Sequence, residues 1–390
     1  MVEKPKILFV LSEGLQSTVI DSQVLQHVRA IQKLGIAEFS IVTLACTKTA
    51  YAEAEEHLQR AKDVAGCNVM ILRGVRPGWP LSELINGFRL ARFVSQKGVE
   101  FDKIHARTDY SAALSTVLAR RSKKGMIWDC RGDFFAERID GLSLGFKRIV
   151  MTVIVGAVYR RRLKMIERTA EAAIFVTTVL RDRMAKFWRT KKAVVIPGAA
   201  SECLFFFDKE LRQSVRKRLK IASDELLLVY GGSMVEYQKF PESLAYFDSL
   251  KANDLKVHYL VVTNQVEQAR RLVGDRQNVT VLSALLEEMN GYLNAGDAAF
   301  MIRDNLPLNA VAFPTKFAEY GLCGLPVIMN SAVPDASKLA RKAGNYVNCD
   351  AGDTIEAFSD SQRRQVAAYY RSRVTKQAQA QIYADLYQVN

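Results

Sequence analysis

In the segment Phe313 to Asn330, F-P-T-K-F-A-E-Y-G-L-C-G-L-P-V-I-M-N, a lysine and a glutamate lie three residues apart at what reads as the start of a helix. Pro314 suits a first helical turn, and Thr315 can accept hydrogen bonds from the orphan amides there. Lys316 then stands at the positive end of the helix, where amides and an ammonium together suit a diphosphate. Glu319 falls on roughly the same face and can accept hydrogen bonds from a ribose diol. Gly324, Leu325 and Pro326 end the helix and lead into a strand, Val327 to Met329. Alone, this segment reads equally as an ordinary capped helix with a surface ion pair.

A second segment strengthens the first. Tyr230-Gly231-Gly232-Ser233 follows the apolar run Leu226 to Tyr230, and paired glycines after a strand let the backbone approach a phosphate or sugar. Lys239 lies a few residues on. A tight turn alone also explains the glycines. Asp129 and Arg131, at the end of another strand, read either as groups lining a site or as a buried ion pair fixing a loop. His105, followed by Arg107, reads as a strand-end histidine or a minor catalytic candidate. No Asp-x-Asp motif occurs, so nothing points to a metal-bridged diphosphate, and neither metal nor cofactor is expected.

The elements that position these residues alternate along the whole chain: short β-rich runs and amphipathic helical stretches, the pattern of parallel sheets covered on both faces. The strand candidates form two series. The first is Ile7 to Leu11, Phe39 to Thr43, Val69 to Leu72, Lys103 to His105, Met126 to Asp129, Ala173 to Thr177 and Ala193 to Ile196. The second is Leu226 to Tyr230, His258 to Val262, Val279 to Leu282, Ala298 to Ile302 and Pro326 to Met329. Between them, I-P-G-A-A-S (Ile196 to Ser201) makes a hinge, followed by a basic helix around Arg212 to Lys220. The expected organisation is α/β, two Rossmann-like doubly wound domains facing a cleft. They span 1–197 and 198–365, and a C-terminal helical segment, 366–390, packs back on the first. Ligands bind at the carboxyl ends of the strands in such sheets.

Composition bounds the function. The 390 residues are 49% hydrophobic and 25% charged, which excludes disordered and fibrous classes, and a net charge of +14 suits an anionic partner. The six cysteines, Cys46, Cys67, Cys130, Cys203, Cys323 and Cys349, are far apart and show no zinc-ligand spacing with the four histidines, so a reduced, cytoplasmic setting is expected. The chain enters its first strand from a charged Met1 to Lys6 segment without a signal-type apolar region. The longest nearly apolar run, Ile149 to Tyr159, falls well short of the ~20 residues that span a bilayer.

These motifs together resemble the donor domain of retaining GT-B glycosyltransferases, specifically the GT4-like family that builds bacterial polysaccharides, lipopolysaccharide among them. The V-L-S-E-G loop (Val10 to Gly14), the H-A-R-x-x-Y-S-A stretch (His105 to Ala112), the W-D-C-R-G-D-F-F-A-E-R segment (Trp128 to Arg138) and the I-P-G linker are similar to features of that family's first domain. The resemblance implies a GT-B fold and transfer of a hexosyl group from a UDP- or GDP-sugar to a glycan or lipid-linked saccharide. It places Lys316 on the diphosphate, Glu319 on the ribose, and Gly231, Gly232, Ser233, Arg303, Pro314 and Thr315 around the donor. With no covalent nucleophile, the cations Lys316, Lys239 and Arg303 stabilise the leaving diphosphate. Asp129 and Arg131 act on the acceptor side, which Glu13, Gly14, His105 and Arg107 also line.

The chain departs from the family pattern at three places. Val311 replaces the first glutamate of an E-x7-E pair, Ser233 replaces a loop arginine, and Arg131-Gly132 replaces a histidine. A nucleotide-sugar epimerase of similar shape is the rival enzyme. A nucleic-acid-binding protein is disfavoured because the basic residues cluster on helices without interleaved aromatics.

The run Phe146 to Arg168 flanks an apolar stretch with Lys147 and Arg148 on one side and Arg160, Arg161 and Arg162 on the other. It reads as a helix lying on the inner face of the cytoplasmic membrane, against anionic lipid, or as a core helix with a solvated basic end.

Overall fold

The computed structural model describes residues 3–79, 81–140, 146–189, 191–252, 255–353 and 355–388, excepting the side chains of 18, 139, 140 and 146–151. The chain forms two compact units, Met1–Pro197 with Lys376–Asn390, and Gly198–Thr375. The sequence reading set its second boundary at 365, inside the helix Asp360–Arg371. That helix stays with the second unit because Arg363 and Tyr370 are buried there.

The first unit holds a seven-stranded sheet in the order β3-β2-β1-β4-β5-β6-β7. The strands are β1 (Lys6–Leu11), β2 (Glu38–Ala45), β3 (Asn68–Arg73), β4 (Lys103–Arg107), β5 (Gly125–Cys130), β6 (Ala172–Phe175) and β7 (Lys192–Val195). Every pairing is parallel, with Phe9 opposite Ile41 on one side and His105 on the other. Strands covered on both faces need near-continuous apolar runs, and β1 (K-I-L-F-V-L) buries all but its first residue.

The second unit holds six strands in the order β10-β9-β8-β11-β12-β13. They are β8 (Leu226–Gly231), β9 (Val257–Val262), β10 (Val279–Leu282), β11 (Ala298–Phe300), β12 (Val327–Met329) and β13 (Tyr346–Asn348), again all parallel. β13 carries no counterpart in the sequence reading, because Tyr-Val-Asn is short and only half-buried.

In both sheets the strand order reverses at one place, β1 against β4 and β8 against β11. Loops leaving the carboxyl ends of those neighbours diverge and open a crevice. The Glu13–Gly14 loop and Arg107 sit at the first reversal, and the Gly231–Ser233 loop and Arg303 at the second.

The expected basic helix is Lys209–Leu219, and it is not simply solvated. Arg212 and Arg216 pair with Asp297 and donate to the carbonyls of Asn294, Ala295 and Gly296, which end the helix Leu286–Ala295. Cations at a helix C-terminus match its partial negative charge. In the first unit the helix Ala380–Tyr387 sets Tyr383, Leu386 and Tyr387 into the core beside Ile7, Phe9 and Phe39. The Lys103 ammonium satisfies the carbonyls of Leu386 (3.0 Å) and Gln388 (2.7 Å) at the end of that helix. Among the described residues, no helix is long and apolar enough to cross a membrane.

Candidate active site

β8 delivers the glycine loop of the second unit. Gly232 has φ +152°, and a Cβ there would stand 3.0 Å from Lys316 Nζ and 2.6 Å from Gln238 Oε1, so only glycine fits. The Lys316 ammonium donates to the Gly231 carbonyl (3.0 Å) and to Gln238 Oε1 (2.7 Å), and lies 5.3 Å from the centre of the Tyr230 ring. Gln238 donates in turn to Ser233 Oγ (2.8 Å), and the Tyr230 hydroxyl donates to the Ser233 carbonyl (2.8 Å). The loop and the lysine thus hold one another.

Lys316 comes from the helix Thr315–Leu322, which buries Phe317, Ala318, Tyr320, Gly321 and Leu322 and leaves Lys316 and Glu319 on its half-buried face. Gly321 permits that packing, since a Cβ there would fall 1.9 Å from the Tyr370 ring. Arg363 closes the far end by donating to the Cys323 carbonyl (2.9 Å). At the near end, Pro314 occupies the cap position and makes no side-chain hydrogen bond. Thr315 is the first helical residue and not the cap. No side chain caps this turn, and the positive end of the helix suits an anion.

Arg303, just beyond β11, is buried, and its guanidinium donates to its neighbour's carbonyl at Ile302 (3.1 Å). Burial, then the charge of Arg303, holds the Lys316 pKa well below the ordinary lysine value against the opposing pull of Glu319. Burial also lowers the pKa of Arg303. Two desolvated cations side by side are costly without an anion. Lys239 differs. Its ammonium pairs with Glu242 (2.8 Å) and Asp304 (2.9 Å), which raise its pKa, so its charge is already matched.

The first unit gathers a second set at the β1/β4 reversal. Arg107 Nε donates to Glu13 Oε2 (3.0 Å) and its Nη2 to Gln23 Oε1 (2.9 Å). Arg131 Nε donates to Asp129 Oδ2 (2.8 Å), and His105 Nε2 lies 3.4 Å from the same oxygen. The Glu13 carbonyl accepts from Thr43 Oγ1 (2.7 Å) and the Gly14 carbonyl from the Ser17 amide (3.2 Å), which fixes that loop. Burial works against the Asp129 carboxylate, yet Arg131, His105 and Arg107 hold its pKa far below the usual range. His105 is pushed down by burial, with Arg131 and Arg107 adding to the effect, so it is neutral at neutral pH. Among the described residues, Asp129 Oδ1 and Arg107 Nη1 are buried without a hydrogen-bond partner.

Of the two readings given to Asp129 and Arg131, the structure shows the ion pair, with the Asp129 carboxylate fully buried. Three supports had no expectation attached. Gln238 links Lys316 to Ser233, and nothing local in the sequence signals it. Tyr383 and Tyr387 reach the His105 cluster from the last helix, signalled only by two tyrosines one turn apart. Asp109, buried beneath the same sheet end, accepts from Trp128 Nε1 (3.1 Å), and burial pushes its pKa up to about 7. Among the described residues, no group of three or more histidine, cysteine or acidic side chains could hold a metal ion.

No family model matches this chain, and no curated protein matches it. Solved structures do. HepE of Anabaena, determined with UDP and with UDP-glucose, aligns over 98% of this chain and 99% of its own at 14–15% identity, with TM-scores of 0.70 for the UDP complex and 0.67 for the UDP-glucose complex. Sucrose-phosphate synthase of Thermosynechococcus elongatus covers 98% of each chain at 14% identity and a TM-score of 0.63. A protein of Listeria monocytogenes assigned as a UDP-N-acetylglucosamine 2-epimerase covers 99% of this chain and 96% of its own at 11% identity, with a TM-score of 0.56. At these identities the likeness is one of fold, and the fold is that of the GT-B glycosyltransferases: two parallel-sheet α/β domains.

Proposed function

We propose that the chain is a retaining glycosyltransferase that moves a hexosyl group from a nucleotide sugar, UDP-linked by analogy with HepE, to a glycan or lipid-linked saccharide of a bacterial surface polysaccharide. The observation that carries this reading is the pair of desolvated cations, Lys316 and Arg303, beside the side-chain-free backbone of Gly232 at the strand-order reversal of the second sheet. A diphosphate would match both charges and face the positive end of the helix Thr315–Leu322.

In this reading Gly231, Gly232 and Ser233 face the phosphates, Pro314 and Thr315 open the helix towards them, and Glu319 takes the ribose hydroxyls. The bond from the sugar C1 to the diphosphate oxygen breaks as the acceptor oxygen attacks from the same face. The departing phosphate oxygen takes the acceptor's proton, and Lys316 and Arg303 stabilise the charge that develops on it. Lys239 joins them by exchanging Glu242 or Asp304 for phosphate. Glu13, Gly14, His105 and Arg107, with Asp129 and Arg131, receive the acceptor. The protein works on the cytoplasmic side of the membrane, without a metal or cofactor.

The test is incubation with UDP- and GDP-sugars and a lipid-linked acceptor. Free nucleoside diphosphate and an elongated product with the donor's anomeric configuration support the reading. Inversion, or an absolute need for a divalent metal, overturns its mechanism. Release of an epimerised nucleotide sugar favours the epimerase that the Listeria likeness keeps as the second reading.

A further inference from the structure

In the first unit, the helices Ser82–Gln96, Thr108–Ser122 and Phe146–Thr169 lie side by side. The inner face of the last is well occupied. Tyr159, Leu163 and Ile166 are buried, and Arg162 is buried too, donating to Glu83 Oε1 (2.7 Å) on the helix Ser82–Gln96. The outer face is different in kind. Val153 is 63% exposed, and Ile154 and Val158 stand exposed beside it, with Arg160, Arg161 and Lys164 following along the same helix.

The neighbouring helix repeats this pattern. Leu81, Ile85 and Phe88, spaced as i, i+4 and i+7, are exposed in one stripe, preceded by Trp79 at 66% exposure. Leu81 is held at φ +60°, a costly conformation for a leucine, at the turn that begins the helix. The two faces adjoin. Leu84 and Ala157 line one shallow pocket with Arg120, Arg160, Arg161 and Lys164, and the Arg121 guanidinium lies 5.5 Å from the Phe88 ring centre. Glu83 is the one acid on the helix Ser82–Gln96, and Arg162 occupies it.

Exposed aliphatic and aromatic side chains beside exposed cations match the boundary of an anionic bilayer, where apolar groups enter the acyl region and ammonium and guanidinium groups meet lipid phosphates. Nucleic acid would use the cations and the two aromatics but gains nothing from exposed Leu81, Ile85, Val153, Ile154 and Val158. We propose that the joint outer face of the helices Ser82–Gln96 and Phe146–Thr169 docks on an anionic lipid bilayer, with Trp79, Ile85 and Phe88 entering the membrane and Arg160, Arg161 and Lys164 contacting phosphate. This refines the two alternatives for the basic helix: it is core on one side and lipid-facing on the other. Lys147 and Arg148, whose side chains lie outside the described set, are not needed for it. The proposal rests on the membrane setting of the reaction above, but the chemistry of transfer does not depend on it.

The tryptophans supply the readout. Trp128 and Trp188 are 1% and 5% exposed, so a fluorescence change on adding vesicles reports on Trp79. With vesicles of phosphatidylcholine and phosphatidylglycerol in equal parts, the full chain should bind and its emission should shift to the blue. Phosphatidylcholine alone should give neither effect. Trp79→Phe should keep binding but lose the spectral shift. Ile85→Ser with Phe88→Ser should weaken binding at low and high salt alike. Arg160→Gln, Arg161→Gln and Lys164→Gln together should weaken it about a hundredfold at low salt, at ~1 kcal/mol for each charge near the surface and ~1.4 kcal/mol per decade.

Thermal stabilisation by UDP in each variant shows that the fold and the donor site survive, which separates failure of the surface from failure of the transferase reading. Equal binding to both vesicle types, no shift of the Trp79 emission, or binding to a soluble polyanion such as heparin in place of vesicles would each overturn the bilayer as partner.

Discussion

The Tyr387 hydroxyl lies 2.8 Å from His105 Nδ1, joining residues 282 positions apart in the sequence. The opposite ring nitrogen faces Asp129 Oδ2, an oxygen of a carboxylate held ionised by Arg131, so the proton belongs on Nε2 and the tyrosine donates to Nδ1. Phe9 stacks on the imidazole with centroids 4.2 Å apart and fixes the plane of the ring. A helix from beyond the second unit thereby sets the tautomer of a residue assigned to the acceptor side.

Tyr387→Phe should therefore leave the fold in place and free Nδ1. Loss of one buried hydrogen bond to a neutral group costs about 0.5–1.5 kcal/mol, to be read by urea unfolding. UDP affinity should be unchanged, because the donor residues belong to the other unit, while KM for the acceptor rises. The ring 15N shifts of His105 should move towards the other tautomer. An unaltered spectrum would remove the positioning role.

For Lys316 the sign of the pH dependence is fixed by its depressed pKa. As pH rises through that value, the free site loses its positive charge, whereas a bound diphosphate favours the charged form. Binding of UDP should take up a proton in this window, and affinity should fall as pH rises. Calorimetry in buffers of different ionisation enthalpy measures the uptake. Lys316→Met should abolish it and weaken UDP by roughly ten- to a hundredfold, the ~1.5–3 kcal/mol of a hydrogen bond to a charged group. Glu319→Ala should cost a similar factor, and because Glu319 pulls the Lys316 pKa up, its loss should move the proton uptake to lower pH without abolishing it.

Gly232→Ala tests the backbone approach. The new methyl would press on Gln238 Oε1 and the Lys316 ammonium, and alanine rarely adopts φ +152°. The expected result is a loss of roughly 1–3 kcal/mol in stability from backbone strain, together with UDP binding weakened beyond that of Lys316→Met. Gly231→Ala, whose Cβ would meet only ordinary contacts with Met289 (3.4 Å) and the Tyr320 hydroxyl (3.5 Å), should be far milder. Equal effects at both positions would mean that neither backbone is read by the ligand.

Local pattern made much of this legible. The central strands carry their burial in their own composition, so β1, β8 and β12 could be read from I-L-F-V-L, L-L-L-V-Y and V-I-M. The pairing of Lys316 with Glu319 followed from helical spacing alone. What stayed hidden depends on distant segments. The last helical stretch divides at Ser372 to Gln379, where Ala200 bridges Thr375, so that Tyr370 packs on Gly321 in one unit and Tyr387 on His105 in the other. Periodicity shows that both tyrosines face inward but not into which core. The burial that shifts Lys316, His105 and Asp109 is likewise a property of everything packed around them.

Asp109 gives the last test. Its carboxyl accepts from Trp128 Nε1 inside the first unit, and burial raises its pKa from 3.8 to about 7, a change that Arg162 only partly offsets. An unfolded chain releases this proton near the ordinary value, while the folded chain retains it until about 7. The folded state thus binds more protons between those two values, and this group's contribution to stability falls as pH rises across that interval and is level above it. At ~1.4 kcal/mol per pH unit across that interval, the loss is of order 4 kcal/mol. Asp109→Asn keeps an oxygen for the tryptophan and has no charge to bury. Its stability relative to the native chain should therefore improve by that order as pH rises from about 4 to about 7. Urea unfolding of both proteins across this range measures it. Parallel pH profiles would show that Asp109 is ionised in the fold already, held so by Arg162.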